Sequence, residues 1–180
     1  MTLIPRQERR TGLVVPVPAE ALVDDFRRRH QDFAFERRVP PHVTVLFPFA
    51  PAAAVDEALC AQLAAHFSAL APFEAALTGI GRFDGCVWLA PEPRDRFVDL
   101  ITSTCARFPD HSPYGGEFAE PEPHLTLAEI DEPDTEDAIA ELARRELGPQ
   151  LPFGFVVEAV ALIEELGDGM WQESMRFWLA

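Results

Sequence analysis

Basic residues are scarce in this chain: it has 15 against 30 acidic ones, a net charge of −15 over 180 residues, and lysine is absent, so every basic side chain is an arginine. That balance opposes the long-range attraction a phosphate-rich polymer requires, and it disfavours long nucleic acid as a partner. A single phosphate held in a cleft is not disfavoured, because local hydrogen-bond donors decide that contact. Cysteine is sparse too. Cys60, Cys86 and Cys105 are odd in number and spaced neither as metal ligands nor as a redox pair, and they read as small apolar groups. No run approaches the roughly 18 apolar residues of a membrane helix. The first residues carry Arg6, Arg9 and Arg10 with no apolar stretch before Pro16 and Pro18, so no secretory signal is predicted and a cytoplasmic monomer is expected. The 48% of apolar residues can fill the core of one compact domain spanning 1–180, with residues 1–11 expected as a flexible tail.

One motif occurs twice. Pro41-His42-Val43-Thr44-Val45 recurs as Pro123-His124-Leu125-Thr126-Leu127. In an extended strand successive side chains point to opposite faces, so His42 and Thr44 share one face and Val43 and Val45 the other. The second copy behaves identically. Each proline fixes its own backbone angle and biases the preceding residue toward extended geometry, which favours strand over helix at both places. A lone imidazole on a sheet is usually a structural residue; two matching copies point to a symmetric polar site.

Strand and helix patterns alternate along the rest. Leu13 to Val17 is a short apolar run, and Ala19 to His30 carries Leu22, Val23 and Phe26 at helical spacing. The first motif strand is expected to continue to Phe49. Pro51 then opens a helix to about Leu70 with Val55, Leu59, Leu63 and Phe67 four apart. Phe73 to Phe83 and Cys86 to Ala90 read as a hairpin around Asp84-Gly85. Pro93 to Phe108 holds Phe97, Ile101 and Cys105 on one helical face. A loop rich in proline and glycine, 109–123, leads into the second motif strand. Pro133-Asp134-Thr135 supplies cap chemistry for a helix with Ile139, Leu142 and Ala143 on its apolar face, stopped by Gly148 and Pro149. Two further strands are expected to close the chain. The order implies a duplicated α+β unit rather than two independent domains.

The paired His-x-Thr strands, half a chain apart, resemble the signature of the 2H phosphoesterase superfamily, in its branch of 2′-5′ RNA ligase-like proteins. The likeness extends to Leu77-Thr78-Gly79-Ile80-Gly81-Arg82-Phe83 followed by Cys86-Val87-Trp88-Leu89-Ala90-Pro91. It takes in Val156 to Ile163, Gly169-Met170-Trp171 and Phe177-Trp178-Leu179, and the loop Pro113-Tyr114-Gly115-Gly116-Glu117. It covers about Gly12 to Leu179. The resemblance implies two lobes, each an antiparallel sheet covered by helices, with one motif from each lobe lining a central cleft. It also implies a substrate that is a small cyclic-phosphate nucleotide or an RNA end, and no cofactor or metal.

Two imidazoles and two hydroxyls suffice for acid–base cleavage of a phosphodiester. With an ordinary pKa near 6.5, one histidine can take a proton from the attacking oxygen while the other gives one to the leaving oxygen. Thr44 and Thr126 would donate to the non-bridging oxygens, where charge builds. The sequence leaves open which histidine is the base. One departure bears on the substrate: the second motif of the family often continues Leu-Ala-Arg, and here it reads Leu127-Ala128-Glu129, a carboxylate in place of a cation. Arg82, Arg37 and Arg38 are alternative phosphate contacts. His111 and Tyr114 are candidates to stack on or hydrogen-bond a base. The clusters Arg27-Arg28-Arg29 and Arg37-Arg38 otherwise read as solvated surface. Besides an enzyme, two readings stay open: a nucleotide sensor that keeps the cleft without cleaving, and a metal site joining His42 and His124 to Glu129, Asp110 or His111.

Overall fold

A computed structural model describes residues 3–111, 121–130 and 135–180. It is an α+β fold of two four-stranded antiparallel sheets. The strands are β1 (Thr11–Pro16), β2 (His42–Leu46), β3 (Phe73–Phe83), β4 (Cys86–Glu92), β5 (Leu125–Glu129), β6 (Phe153–Val157), β7 (Ala159–Glu165) and β8 (Trp171–Trp178). The helices are α1 (Glu20–His30), α2 (Asp32–Glu36), α3 (Glu57–Phe67), α4 (Arg94–Arg107) and α5 (Glu136–Glu146). One sheet runs β2-β1-β7-β8 and the other β5-β4-β3-β6, so each motif strand is the edge strand of its own sheet. Among the described residues no helix is long and apolar enough to cross a membrane.

Alternation along the motif strands builds the core. Val43, Val45, Leu125 and Leu127 are buried in one continuous apolar cluster with Leu22, Val23 and Phe26 of α1, Leu63 and Phe67 of α3, Phe97 and Ile101 of α4, and Ala140 and Ala143 of α5. Because the aliphatic face of each strand is anchored there, the His-Thr face has to turn the other way. Cross-strand partners share a face, and register carries that face across each sheet. Thr44 pairs with Val14, Val14 with Ala161, and Ala161 with Arg176. Thr126 pairs with Trp88, and Trp88 with Gly81. A Cβ at Gly81 would fall inside the indole of Trp88, so only glycine lets that ring lie flat on the sheet.

Several expectations need correction. The helix expected from Pro51 starts at Glu57: Ala52–Ala54 make a separate 3₁₀ turn, and the Asp56 side chain caps α3 by accepting from Leu59 N–H at 2.8 Å. β2 stops at Leu46 instead of running to Phe49, two residues before Pro48, which has no N–H for a ladder. Three strands, not two, close the chain, since Glu158 separates β6 from β7. The short α2 has no counterpart in the sequence pattern. Residues 9–11, expected in a tail, are built into the body: Thr11 lies buried in β1, Ala52 N–H bonds the Arg9 carbonyl, and Arg10 pairs with Glu165. The three cysteines are half-buried and free. Thr135 takes the N-cap of α5, while Pro133 and Asp134 lie outside the described residues.

The two faces of β5 should respond differently to mutation. Leu127→Ala empties a fully buried position and is expected to cost about 2–5 kcal/mol in urea denaturation. Thr126→Val on the opposite face should stay within about 1 kcal/mol. Equal losses at the two positions would contradict this facing.

Candidate active site

The face shared by the motifs opens into a cavity of about 280 Å³ between the two sheets. Its wall includes His42 and Thr44 from β2, Thr126 and Glu129 from β5, and Arg10, Arg27 and Arg37. His124 stands just before β5, next to this wall but not part of it. It packs edge-on against Phe83 at 5.3 Å and lies 6.1 Å from the Trp88 ring. The two imidazoles are close enough for charge on His124 to depress protonation of His42.

Both histidines are held in the same way. Nδ1 of His42 lies 2.7 Å from the Pro40 carbonyl, and Nδ1 of His124 lies 2.8 Å from the Glu122 carbonyl, in each case two residues upstream. A carbonyl only accepts, so each Nδ1 must be the donor. Nε2 is thereby left as the nitrogen that can take or give a proton. The proline before each histidine helps set this geometry, because Pro40-Pro41 and Glu122-Pro123 hold the upstream backbone extended.

His42 has a distinct electrostatic setting. Burial pushes the pKa of His42 down to about 4. The hydrogen bond to Pro40 opposes the shift, and the charges of Arg27 and His124 add to it. His42 is therefore a neutral imidazole across the physiological range, with a lone pair on Nε2.

Arg27, expected at the surface, is instead buried in the cavity wall, 2% exposed. Its Nε donates to Gln31 Oε1 at 2.9 Å, Nη2 to the Val39 carbonyl at 2.8 Å, and Nη1 to Asp24 at 3.4 Å. Burial lowers its pKa, while Asp24 and then Glu129 hold its charge in place. The signal that could have found it is spacing: Val23 and Phe26 face the core, and Arg27 follows Val23 by one helical turn. Arg37, likewise expected at the surface, lines the cavity, whereas Arg38 is exposed and outside it. Arg82 does not reach the site. It alternates away from Gly81 and Phe83, and its Nε pairs with Asp137 at 2.7 Å. His111 is also elsewhere, its ring 4.9 Å from that of Phe49. Tyr114 lies outside the described residues. Among the described residues no group of three or more His, Cys, Asp or Glu is arranged to hold a metal ion.

A family model described as the 2′-5′ RNA ligase superfamily matches residues 15–169. Among solved structures the chain is similar to E. coli LigT complexed with 3′-AMP, at 18% identity and a TM-score of 0.64, covering 96% of this chain and 98% of that one. It is similar to the same protein complexed with NADP+, at 17% identity, a TM-score of 0.60 and the same coverage. TT0787 of Thermus thermophilus follows at 19% identity and a TM-score of 0.58, covering 94% of this chain and 97% of that one. At these identities the likeness establishes the fold. No curated protein matches the chain significantly.

The depressed pKa has a measurable consequence. The unfolded chain takes a proton on this histidine near pH 6.5 and the folded chain only near pH 4, so the contribution to stability is complete above 6.5 and is lost as pH falls toward 4. The Cε1–H resonance of His42 is expected to titrate with a midpoint near 4, and His42→Asn should flatten stability against pH in that window. A midpoint at 6 or above would show that the ring is solvated.

Proposed function

The chain belongs to the 2′-5′ RNA ligase superfamily, with the 2H phosphoesterases, and from that premise we propose that it is a metal-independent phosphodiesterase acting on a 2′,3′-cyclic or 2′-5′ bond of a nucleotide or RNA end. The observation that carries this reading is the matched tethering of the two imidazoles, which leaves Nε2 of each available for proton transfer. The roles follow from their surroundings. His42, neutral at working pH, is the base, and His124 is the acid.

In ring opening, water enters in line with the P–O bond to the ribose oxygen. Nε2 of His42 takes a proton from that water as the new P–O bond forms. Nε2–H of imidazolium His124 gives a proton to the ribose oxygen as the old bond breaks. Thr44 and Thr126 donate hydrogen bonds to the non-bridging oxygens, whose charge grows in the five-coordinate transition state. The buried cation of Arg27 supplies positive potential at the same wall. Ligation is the same path with a 5′-hydroxyl in place of water, and cleavage of a 2′-5′ bond to a cyclic phosphate is its reverse, with the roles of the histidines exchanged. Small nucleotides occupy similar folds: 3′-AMP, NADP+ and ATP are the molecules in complex with E. coli LigT. A mononucleotide suits the cavity here.

Turnover against a panel of cyclic phosphates tests the reading. Activity is expected to survive chelator and to follow a bell-shaped pH profile whose acid limb lies near pH 4, set by His42 in the free enzyme. Loss of turnover with chelator, restored by a divalent ion, would replace the acid–base reading with a metal-dependent one.

Mutation tests the roles. His42→Ala and His124→Ala should each lower kcat by about 10²–10⁴-fold. The double mutant should be little slower than either single, because acid and base act as a unit. Thr44→Val or Thr126→Val should cost about 1–3 kcal/mol of transition-state stabilisation. Nucleotide binding without turnover in the wild type would identify the protein as a sensor that has kept the cleft.

A further inference from the structure

The cavity has a second cationic end. Away from the histidines its wall is made by Arg10 and Arg37 with Phe33, Phe47 and Trp171. Arg10 is locked in place: Nε donates to Glu165 Oε2 at 3.0 Å and Nη2 to Oε1 at 2.9 Å. Its guanidinium lies 5.5 Å from the Trp171 ring and 5.9 Å from that of Phe47. Nη1 of Arg10 has no hydrogen-bond partner among the described residues. Arg37 is positioned without being neutralised. Its Nη1 donates to the Gly169 carbonyl at 3.0 Å, and its guanidinium lies over Phe33 at 4.3 Å. Among the described residues no carboxylate is within ion-pair distance of it. Gly169 makes the fit: at φ +80 it turns the β7–β8 connection, and a side chain there would occupy the space of the Arg37 guanidinium.

The local charges do not cancel. Glu165 is within electrostatic reach of both arginines, and its pKa is held down first by the hydrogen bond from Arg10 and lastly by the charge of Arg37. Among the described residues Glu165 pairs with Arg10 alone and reaches Arg37 only through its charge. The N–H groups of Arg37 not used by Gly169 form the kind of planar fork that accepts phosphate.

We propose that Arg37, with Arg10 beside it, is a second phosphate subsite, so that the preferred ligand is a nucleotide with one phosphate at His42, Thr44 and Thr126 and another at the arginines. The inference rests on the reading of the cavity as a nucleotide site. It narrows the substrate class to mononucleotides that carry a phosphate besides the reacting one, and Phe33 and Trp171 supply aromatic surface alongside.

Calorimetric titration of the whole protein with a nucleoside 3′-monophosphate and the matching 3′,5′-bisphosphate tests this without needing turnover. The bisphosphate is expected to bind about tenfold to a hundredfold tighter, the value of charge-assisted hydrogen bonds to one phosphate. In Arg37→Gln the ratio of the two affinities should fall toward one, and Arg37→Lys should restore part of it. Both affinities are read in one preparation, so partial misfolding cannot mimic a change in their ratio. A ratio near one in the wild type, or a full ratio kept in Arg37→Gln, would overturn the subsite. Binding of neither nucleotide would overturn it together with the nucleotide reading of the cavity. A full ratio in a protein that turns over no cyclic phosphate would uphold the subsite and remove the catalytic reading alone.

Discussion

A hydrogen bond from an imidazole Nδ1 to a carbonyl two residues upstream, made once in each lobe, is the contact on which the site depends. It fixes the tautomer and the ring orientation together, and it is built locally, from backbone that a proline has already stiffened. What it cannot fix is the distance between the rings. That is left to the core, where the aliphatic residues of β2 and β5 enter one common apolar cluster. Local geometry therefore sets what each histidine can do, and in the proposed reaction tertiary packing sets whether the two can do it to the same phosphate.

Identical tethering does not make the two histidines equivalent. His42 sits at the cavity wall with the buried guanidinium of Arg27 nearby, so protonation there meets both poor solvation and a like charge. His124 stands beside the wall, half-exposed, against Phe83 and Trp88. A duplicated motif thus acquires an electrostatic polarity from its non-duplicated surroundings. In the proposed reaction that polarity assigns the base, which the repeat by itself leaves undecided.

The parts legible in the sequence are those governed by short-range pattern. Period-two alternation in the motifs specifies their facing, and Asp84-Gly85 between two apolar runs specifies the β3–β4 hairpin, whose register runs from Phe83 opposite Cys86. Helix boundaries are less legible where two signals compete: Pro51 is a plausible helix start, but Asp56 offers a capping carboxylate one turn later and prevails. The arginines of the cavity are the least legible. Arg27 stands in a run of three arginines whose neighbours Arg28 and Arg29 pair with exposed carboxylates, and only its spacing, one helical turn after Val23, marks it as the one that turns inward. Arg10 and Arg37 reach the cavity through partners at Glu165 and Gly169, more than a hundred residues away.

The carboxylate at Glu129 takes on a different meaning in this setting. By resemblance to related chains a cation is expected at that position, and its replacement suggests a loss of affinity for phosphate. Glu129 instead faces a cavity whose wall already holds Arg10, Arg27 and Arg37, and its charge supports the buried cation of Arg27. The positive charge at this wall stands on α1, at Arg27, and not on β5. An arginine also present at position 129 would place another cation in this wall beside one whose protonation burial already disfavours. A carboxylate balances the wall while leaving Arg37 without an ion pair among the described residues. In the proposed reaction the phosphate is then held by the threonines in the positive potential of Arg27, and discrimination among nucleotides passes to the opposite end of the cavity.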